Sequence, residues 1–221
     1  MNIYLHCGDG VTKEEGQVAI HALLETIDFL VDFIPKTSNN GFHAKVLGNW
    51  SPSSAAFQNL ERHVASSFIP EIKKFDGSNI LLNLIHGRKD ISHFDIAISS
   101  KRITARDCNG NWLDSIFGLA GGGTAIVSTH EFNHELKNEE LRHLCLRRVI
   151  IHKFFHILGL LPNWRETNID NRLGLNCGNV CVMRQGMSVS EWKKYAKEEE
   201  NKGVALCSQC EDNLLEIFSR K

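Results

Sequence analysis

Residues 138–161, NEELRHLCLRRVIIHKFFHILGLL, decide how the rest of the chain is read. Leu141, Leu144, Val149, Ile150, Ile151, Phe154, Phe155, Ile157 and Leu158 leave the C-terminal half of this stretch little polar surface. That pattern predicts a helix buried in a core. Within it, His152 and His156 stand four residues apart, so both imidazoles project from one helix face. Zinc sites commonly begin with such a pair. Gly159, three residues on, suits a helix C-cap where the chain turns away. Two histidines at this spacing also serve as ordinary core residues, so the pair needs support from elsewhere in the chain.

Working outward, strand-sized and helix-sized segments alternate. Residues 1–7 read as a strand ended by Gly8-Asp9-Gly10. Thr12 and Glu15 form a capping box, opening a helix with the stripe Ile20, Leu23, Leu24, Ile27, Leu30, Val31 and Ile34. Phe42, Ala44 and Val46 alternate as a half-buried strand does. Ser51 and Pro52 open a second helix with Phe57, Leu60, Val64 and Phe68 on its apolar face, and Pro70 limits it. Residues 80–85 (ILLNLI) form an apolar run of strand length, and residues 94–99 another. Residues 116–120 and 125–129 are two further strands, framing Gly121 to Gly123. No Gly-Lys-Ser/Thr ending follows those glycines, so they read as a loop between strands rather than a phosphate cradle. This alternation predicts a sheet with helices packed on it.

Composition agrees. The chain has 221 residues, 42% hydrophobic and 23% charged, enough for a domain with a real core and far from disordered or collagen-like composition. Lys plus Arg is 25 and Asp plus Glu is 26, a net charge of −1 that gives no basic excess for nucleic acid. The most apolar run, residues 150–162, is too short and interrupted to span a bilayer. Residues 1–10 show no basic segment followed by an apolar one. The expectation is a cytoplasmic protein without nucleic-acid or membrane partners, whose seven cysteines are thiols or metal ligands before disulfides.

Four of those cysteines cluster as Cys177-Gly178-Asn179-Val180-Cys181 and Cys207-Ser208-Gln209-Cys210. Two close pairs across a longer loop have the spacing of a tetrahedral thiolate zinc site. Such an ion would staple a region with little core of its own, since residues 188–202 (SVSEWKKYAKEEENK) read as a solvated helix too polar to anchor itself. Cys7, Cys108 and Cys145 are scattered and read as small apolar fillers. A literal His130-Glu131-Phe132-Asn133-His134 directly follows a strand and lacks a downstream Gly-x-x-His. It reads as a polar strand-to-helix connection, with Asn133 or Asn138 as the helix start.

His152-x3-His156-x2-Gly159, Cys177-x3-Cys181-Val182-Met183 and Cys207-x2-Cys210 together resemble the archaemetzincin family. That family's pattern is an HExxHxxGxxHC core, a second cysteine, a Cys-x-Met and a distal Cys-x-x-Cys. Asp107, Phe117-Gly118-Leu119-Ala120 and residues 125–129 resemble its stretch before the active-site helix, so the likeness spans roughly residues 95–210. The resemblance implies an α+β, metzincin-like fold: a twisted mixed β-sheet with a backing helix and an active-site helix in residues 1–161. Residues 162–221 would form a small zinc-stapled C-terminal subdomain, within one compact unit. It implies a structural zinc on Cys177, Cys181, Cys207 and Cys210, and Met183 in a turn beneath the catalytic metal. It also implies that Phe117, Gly118, Leu119 and Ala120 help align a peptide by main-chain pairing.

The departures from that pattern fall on the chemistry. Lys153 stands where the family has its general-base Glu. The Glu of a zinc peptidase takes a proton from metal-bound water and passes it to the leaving amine. A lysine with an ordinary pKa near 10.4 is neutral about once in 2,500 at pH 7, and loss of a positioned base costs about 10² to 10⁴-fold. Burial and metal charge would have to lower that pKa by roughly three units for Lys153 to serve as a base. Three residues after Gly159 stands Pro162 instead of a ligand histidine. An insertion, residues 162–175, leaves Asn176 just before Cys177, and asparagine is a weak zinc ligand. Glu166 or Asp170 could supply a carboxylate in its place. The first cysteine pair is also one residue short of the family's spacing. The expectation is one structural zinc per chain, with His152 and His156 as a vestigial or altered catalytic pair. The cleft would bind a peptide or protein, with peptidase activity lost or strongly impaired. The competing expectations are a zinc hydrolase with rearranged ligands, and a plain α/β domain with core histidines and free thiols.

Overall fold

A computed structural model describes residues 2–34, 44–49, 55–87, 93–107, 109–161, 165–200 and 202–219. Phe42, Ser51, Pro52, Cys108 and Pro162 lie outside these residues, as does the side chain of Phe57.

Apolar alternation in β1 (Asn2–Cys7) places Ile3 and Leu5, both fully buried, on one face of a sheet. β1 pairs in parallel with β2 (Lys45–Asn49) and with β5 (His93–Ser99). β8 (Thr124–Ser128) adds to β5 in parallel, and β7 (Gly118–Gly121) closes the sheet antiparallel. The order β2-β1-β5-β8-β7 makes a mixed five-stranded sheet with β7 at an edge. Gly122 and Gly123 connect β7 to β8 with φ of +56° and +77°, the left-handed pair that a two-residue hairpin turn requires. Gly122 and Gly123 are therefore the loop between strands that the sequence suggests, while Gly121 is the last residue of β7.

Helices α1 (Lys13–Phe33) and α5 (Glu139–Leu158) cover one face, burying Leu23, Leu30, Val149 and Phe154 against Ile3, Ile96 and Val127. Both have the caps expected of them. Thr12 accepts from the Glu15 amide at 3.1 Å while Glu15 accepts from the Thr12 amide at 2.7 Å. Asn138 accepts from the Leu141 amide at 2.8 Å, so it, and not Asn133, starts α5. Gly159 ends the helix in the left-handed conformation, φ +85°. The same core runs on through Cys177, Met183, Trp192 and Leu214. α2 (Ala55–Ser66) and α3 (Gly77–Gly87) cover the other face, with Leu60, Val64 and Ile80 against Ala97 and Ile126. A side sheet joins β3 (Phe68–Ile69), β4 (Lys74–Asp76) and β6 (Ile103–Thr104). β9 (Ile169–Asp170) pairs with β10 (Asn176–Cys177). α4 (His130–Glu135), α6 (Val189–Glu199) and α7 (Ser208–Ser219) complete the described elements.

Three sequence expectations are corrected. Residues 80–85 lie inside helix α3, not in a strand. Asp76 accepts from the Ser78 and Asn79 amides at 2.9 and 3.2 Å, capping the helix just upstream of the apolar run. Phe68 is not on the face of α2: Ser66 and Ser67 bond back to the His63 carbonyl, the helix stops, and Phe68 enters β3, where it is exposed. α6 is not a solvated helix, for Val189, Trp192, Tyr195, Ala196 and Glu199 form a buried stripe and Trp192 is fully enclosed.

Candidate metal centre and cleft

Cys177 on β10, Cys181 in the following turn, and Cys207 and Cys210 at the start of α7 meet in space. Their sulfurs all lie within 4.8 Å of one another. Cys177 and Cys207 Sγ are 3.8 Å apart, and Cys181 and Cys210 Sγ 3.9 Å apart. Four thiolates bound tetrahedrally at about 2.3 Å would stand roughly 3.8 Å from each other, so the spacing fits a zinc ion. Such a site carries a net negative charge, and the surroundings answer it. Buried Arg165 donates from Nη1 to Cys210 Sγ and from Nη2 to Cys177 Sγ, each at 3.2 Å. The Asn179 amide adds a donor to Cys177 Sγ at 3.4 Å. Hydrogen bonds from Cys181 and Cys210 hold the Cys177 thiol far below its ordinary value, while Cys181 is pushed up in exchange. Among the described residues, this is the one group of three or more His, Cys, Asp or Glu side chains that could share a metal.

The two histidines of α5 meet Asn176. Fully buried His152 donates from Nδ1 to the Val182 carbonyl at 2.9 Å, which leaves the Nε2 lone pair facing His156. His156 Nε2 lies 3.1 Å from His152 Nε2 and 3.0 Å from Asn176 Oδ1, so one N–H serves two acceptors. Asn176 Nδ2 donates to the Leu173 and Gly174 carbonyls, which turns its oxygen toward the imidazole. Burial pushes His156 down to about 3, and burial with the Lys153 charge pushes His152 well down too. Lys153 itself is only 3% exposed, and burial lowers it to about 7. Among the described residues its amine reaches one polar partner, Gln185 Oε1 at 3.4 Å.

The second site offers a zinc ion a weak donor set. The donors are two neutral imidazoles and an amide oxygen, with a buried lysine beside them and no anion to offset a dication. Asp170 is engaged by Arg172 at 2.7 to 3.0 Å, and Glu166 is exposed. Among the described residues, no third histidine, cysteine or carboxylate lies within 4.8 Å of both imidazoles.

A cavity of about 300 Å³ opens beside Lys153 and His156. Leu119 and Ala120 of edge strand β7 line it, facing Leu173, Gly174 and Leu175. Of the expected peptide-aligning residues, Gly118 is buried against Lys153: an added Cβ would stand 3.3 Å from Lys153 Cε and 2.7 Å from the Ile126 carbonyl. Phe117 belongs to the core, its ring 4.9 Å from Phe132 and 5.8 Å from Trp192. Met183 is fully buried, next to the Val182 carbonyl that holds His152.

Residues 130–134 lie in short helix α4, which connects strand β8 to helix α5. Glu131 is buried in an ion pair with Arg102 at 2.6 Å, and His130 turns to the Ser100 carbonyl. Cys7 and Cys145 are buried fillers, and burial pushes both thiols up to about 12. Two important arginines escaped sequence reasoning. Arg165 lies in the insertion beside no motif. Arg148 is a polar break in an apolar helix, yet it joins Glu199 at 2.9 Å and the Cys181 carbonyl at 3.0 Å, tying α5 to the thiol cluster.

The mixed sheet over a two-histidine helix, with a thiol cluster in the lower part, is an α+β architecture found among zinc peptidases. Its particular version is the archaemetzincin fold. The chain superposes on archaemetzincin from Methanopyrus kandleri with a TM-score of 0.62 and 17% identity, covering 100% of this chain and 96% of that one. A zinc-dependent peptidase from Methanocorpusculum labreanum (strain Z) superposes with a TM-score of 0.59 and 16% identity, covering 96% and 99%. No protein-family model and no curated protein sequence matches the chain. No helix among the described residues is long and apolar enough to cross a membrane.

Proposed function

We propose that this archaemetzincin-fold protein carries one structural zinc on Cys177, Cys181, Cys207 and Cys210, binds a peptide or protein segment in its cleft, and has lost or nearly lost peptidase activity. The observation that carries this reading is the pairing of buried Lys153 with a donor set completed by Asn176. Lys153 occupies the position that the resemblance gives to the general base. Burial lowers Lys153 to about 7, so near neutral pH about half of it is an ammonium, which has no lone pair to accept a proton and opposes a nearby dication, and the neutral half lacks the negative charge a carboxylate base would bring to the metal. His156 spends its N–H on Asn176 and His152, so the pair satisfies itself without an ion.

The binding role is supported by β7. It lies at the sheet edge beside the cavity, with main-chain groups turned outward that an extended peptide can pair with. A net charge of −1 favours a peptide over a nucleic acid as partner. The described cysteines are free, which suits a reducing, cytoplasmic compartment. The test is incubation of the zinc-loaded chain with a broad peptide library, with and without chelator. Absence of cleavage with retained binding supports the reading; chelator-sensitive turnover overturns it. One observation favours a second reading, a zinc hydrolase with rearranged ligands: His152 Nε2, His156 Nε2 and Asn176 Oδ1 converge. Two tightly held zincs per chain would establish that alternative.

A further inference from the structure

We propose that the cleft receives the free C-terminal end of a peptide. The terminal carboxylate meets the Lys153 amine, an apolar last side chain packs on Leu119, Leu161 and Leu175, and the preceding backbone pairs with β7. This rests on the peptide-binding reading above and names the end of the peptide that is read.

The first ground is an unmet hydrogen-bonding need. Lys153 is 3% exposed and lines the cavity, and among the described residues its amine reaches only Gln185 Oε1, at 3.4 Å. That is longer than the 2.7 to 3.2 Å of a sound N–H···O bond. A buried amine short of acceptors is costly, and a ligand anion relieves that cost.

The second ground is the character of the walls. Apart from Ser78, Arg106, Lys153 and His156, every lining residue is Leu, Ala or Gly, and none is acidic. The complement of such a surface is an anion on an apolar body. Arg106 stays at the exposed rim, its Nη1 donating to the Gly110 carbonyl and its guanidinium 4.1 Å over the Trp112 ring. Lys153 is therefore the cation placed inside.

The third ground is direction. Lys153 Cε lies against Gly118, at the N-terminal end of β7, where the missing Cβ makes room for it. A peptide paired antiparallel to β7 brings its C-terminus to that same end. A cavity of about 300 Å³ is at the lower limit for ligand pockets, room for a terminal residue.

The test uses the zinc-loaded, ¹⁵N-labelled full chain and two pools of N-acetylated pentapeptides. Each has four randomised positions and a final Leu, one pool as free acids and one as C-terminal amides. Binding is followed by amide shifts. The free-acid pool should bind at least about tenfold tighter and shift the amides of β7, because hydrogen bonds to a charged group carry that much discrimination. Lys153→Met, with an otherwise preserved spectrum, should lower the acid pool to the amide level. Equal binding of acids and amides at β7 would overturn this inference and leave the peptide-binding reading standing. An acid preference that survives Lys153→Met would overturn the assignment to Lys153. Binding by neither pool would overturn both.

Discussion

Replacing Lys153 by Met should stabilise the protein at neutral pH, and by a calculable amount. Lys153 is 3% exposed, and its pKa falls to about 7 from the ordinary 10.5. The unfolded chain keeps the ordinary value, so between these two limits the unfolded state binds more protons than the folded one. Stability then rises with pH through that window. At pH 7 the lysine costs about 4 kcal/mol relative to a group with no charge to lose, and at pH 9.5 only about 1 kcal/mol. Methionine has similar length and fills the space against Gly118 without an unpaired donor. Urea unfolding followed by tryptophan fluorescence, with zinc in excess, gives both stabilities at both pH values. The variant should exceed the parent by several kcal/mol at pH 7, and the gap should narrow by more than half at pH 9.5. A variant no more stable than the parent at pH 7, or a gap that ignores pH, would refute the burial of an unpaired amine.

Other outcomes follow from the same geometry. Arg148→Ala should cost about 3 to 5 kcal/mol in the same urea assay, because it leaves Glu199 buried without its cation and frees the Cys181 carbonyl. Gly118→Ala should cost about 1 to 3 kcal/mol, since the new methyl stands 2.7 Å from the Ile126 carbonyl, and should weaken peptide binding at β7. Asn176→His should add a second zinc, seen by elemental analysis, because an imidazole would replace the oxygen now 3.0 Å from His156. Adding Lys153→Glu to it should raise cleavage of a quenched peptide by about 10² to 10⁴-fold over Asn176→His alone; unchanged turnover would count against Lys153 as the blocked position.

Features written in neighbouring residues were legible in the sequence. The Thr12 and Glu15 box, the Asn138 cap, the Gly159 turn and the twin glycines of the β7–β8 hairpin each depend on a few consecutive positions. The four cysteines were legible because a thiolate site leaves its spacing in the chain. Residues 80–85 misled because a continuous apolar run has no period to tell helix from strand; the deciding signal was the Asp76 cap just upstream. α6 misled through its many charges, which mask the 189, 192, 195, 196 and 199 stripe. Arg165 and Arg148 act across 45 and 51 residues of separation, on Cys210 and Glu199, and no local pattern announces such pairings. The meeting of Asn176 with His156 was legible only as a vacancy in a family pattern; the structure gives it an oxygen at 3.0 Å.

The most direct test is elemental analysis of the purified chain beside its Cys210→Ser and His156→Ala variants. About one zinc per parent chain is expected, nearly none in Cys210→Ser, and an unchanged value in His156→Ala. Two zincs in the parent, with one lost in His156→Ala, would contradict the account.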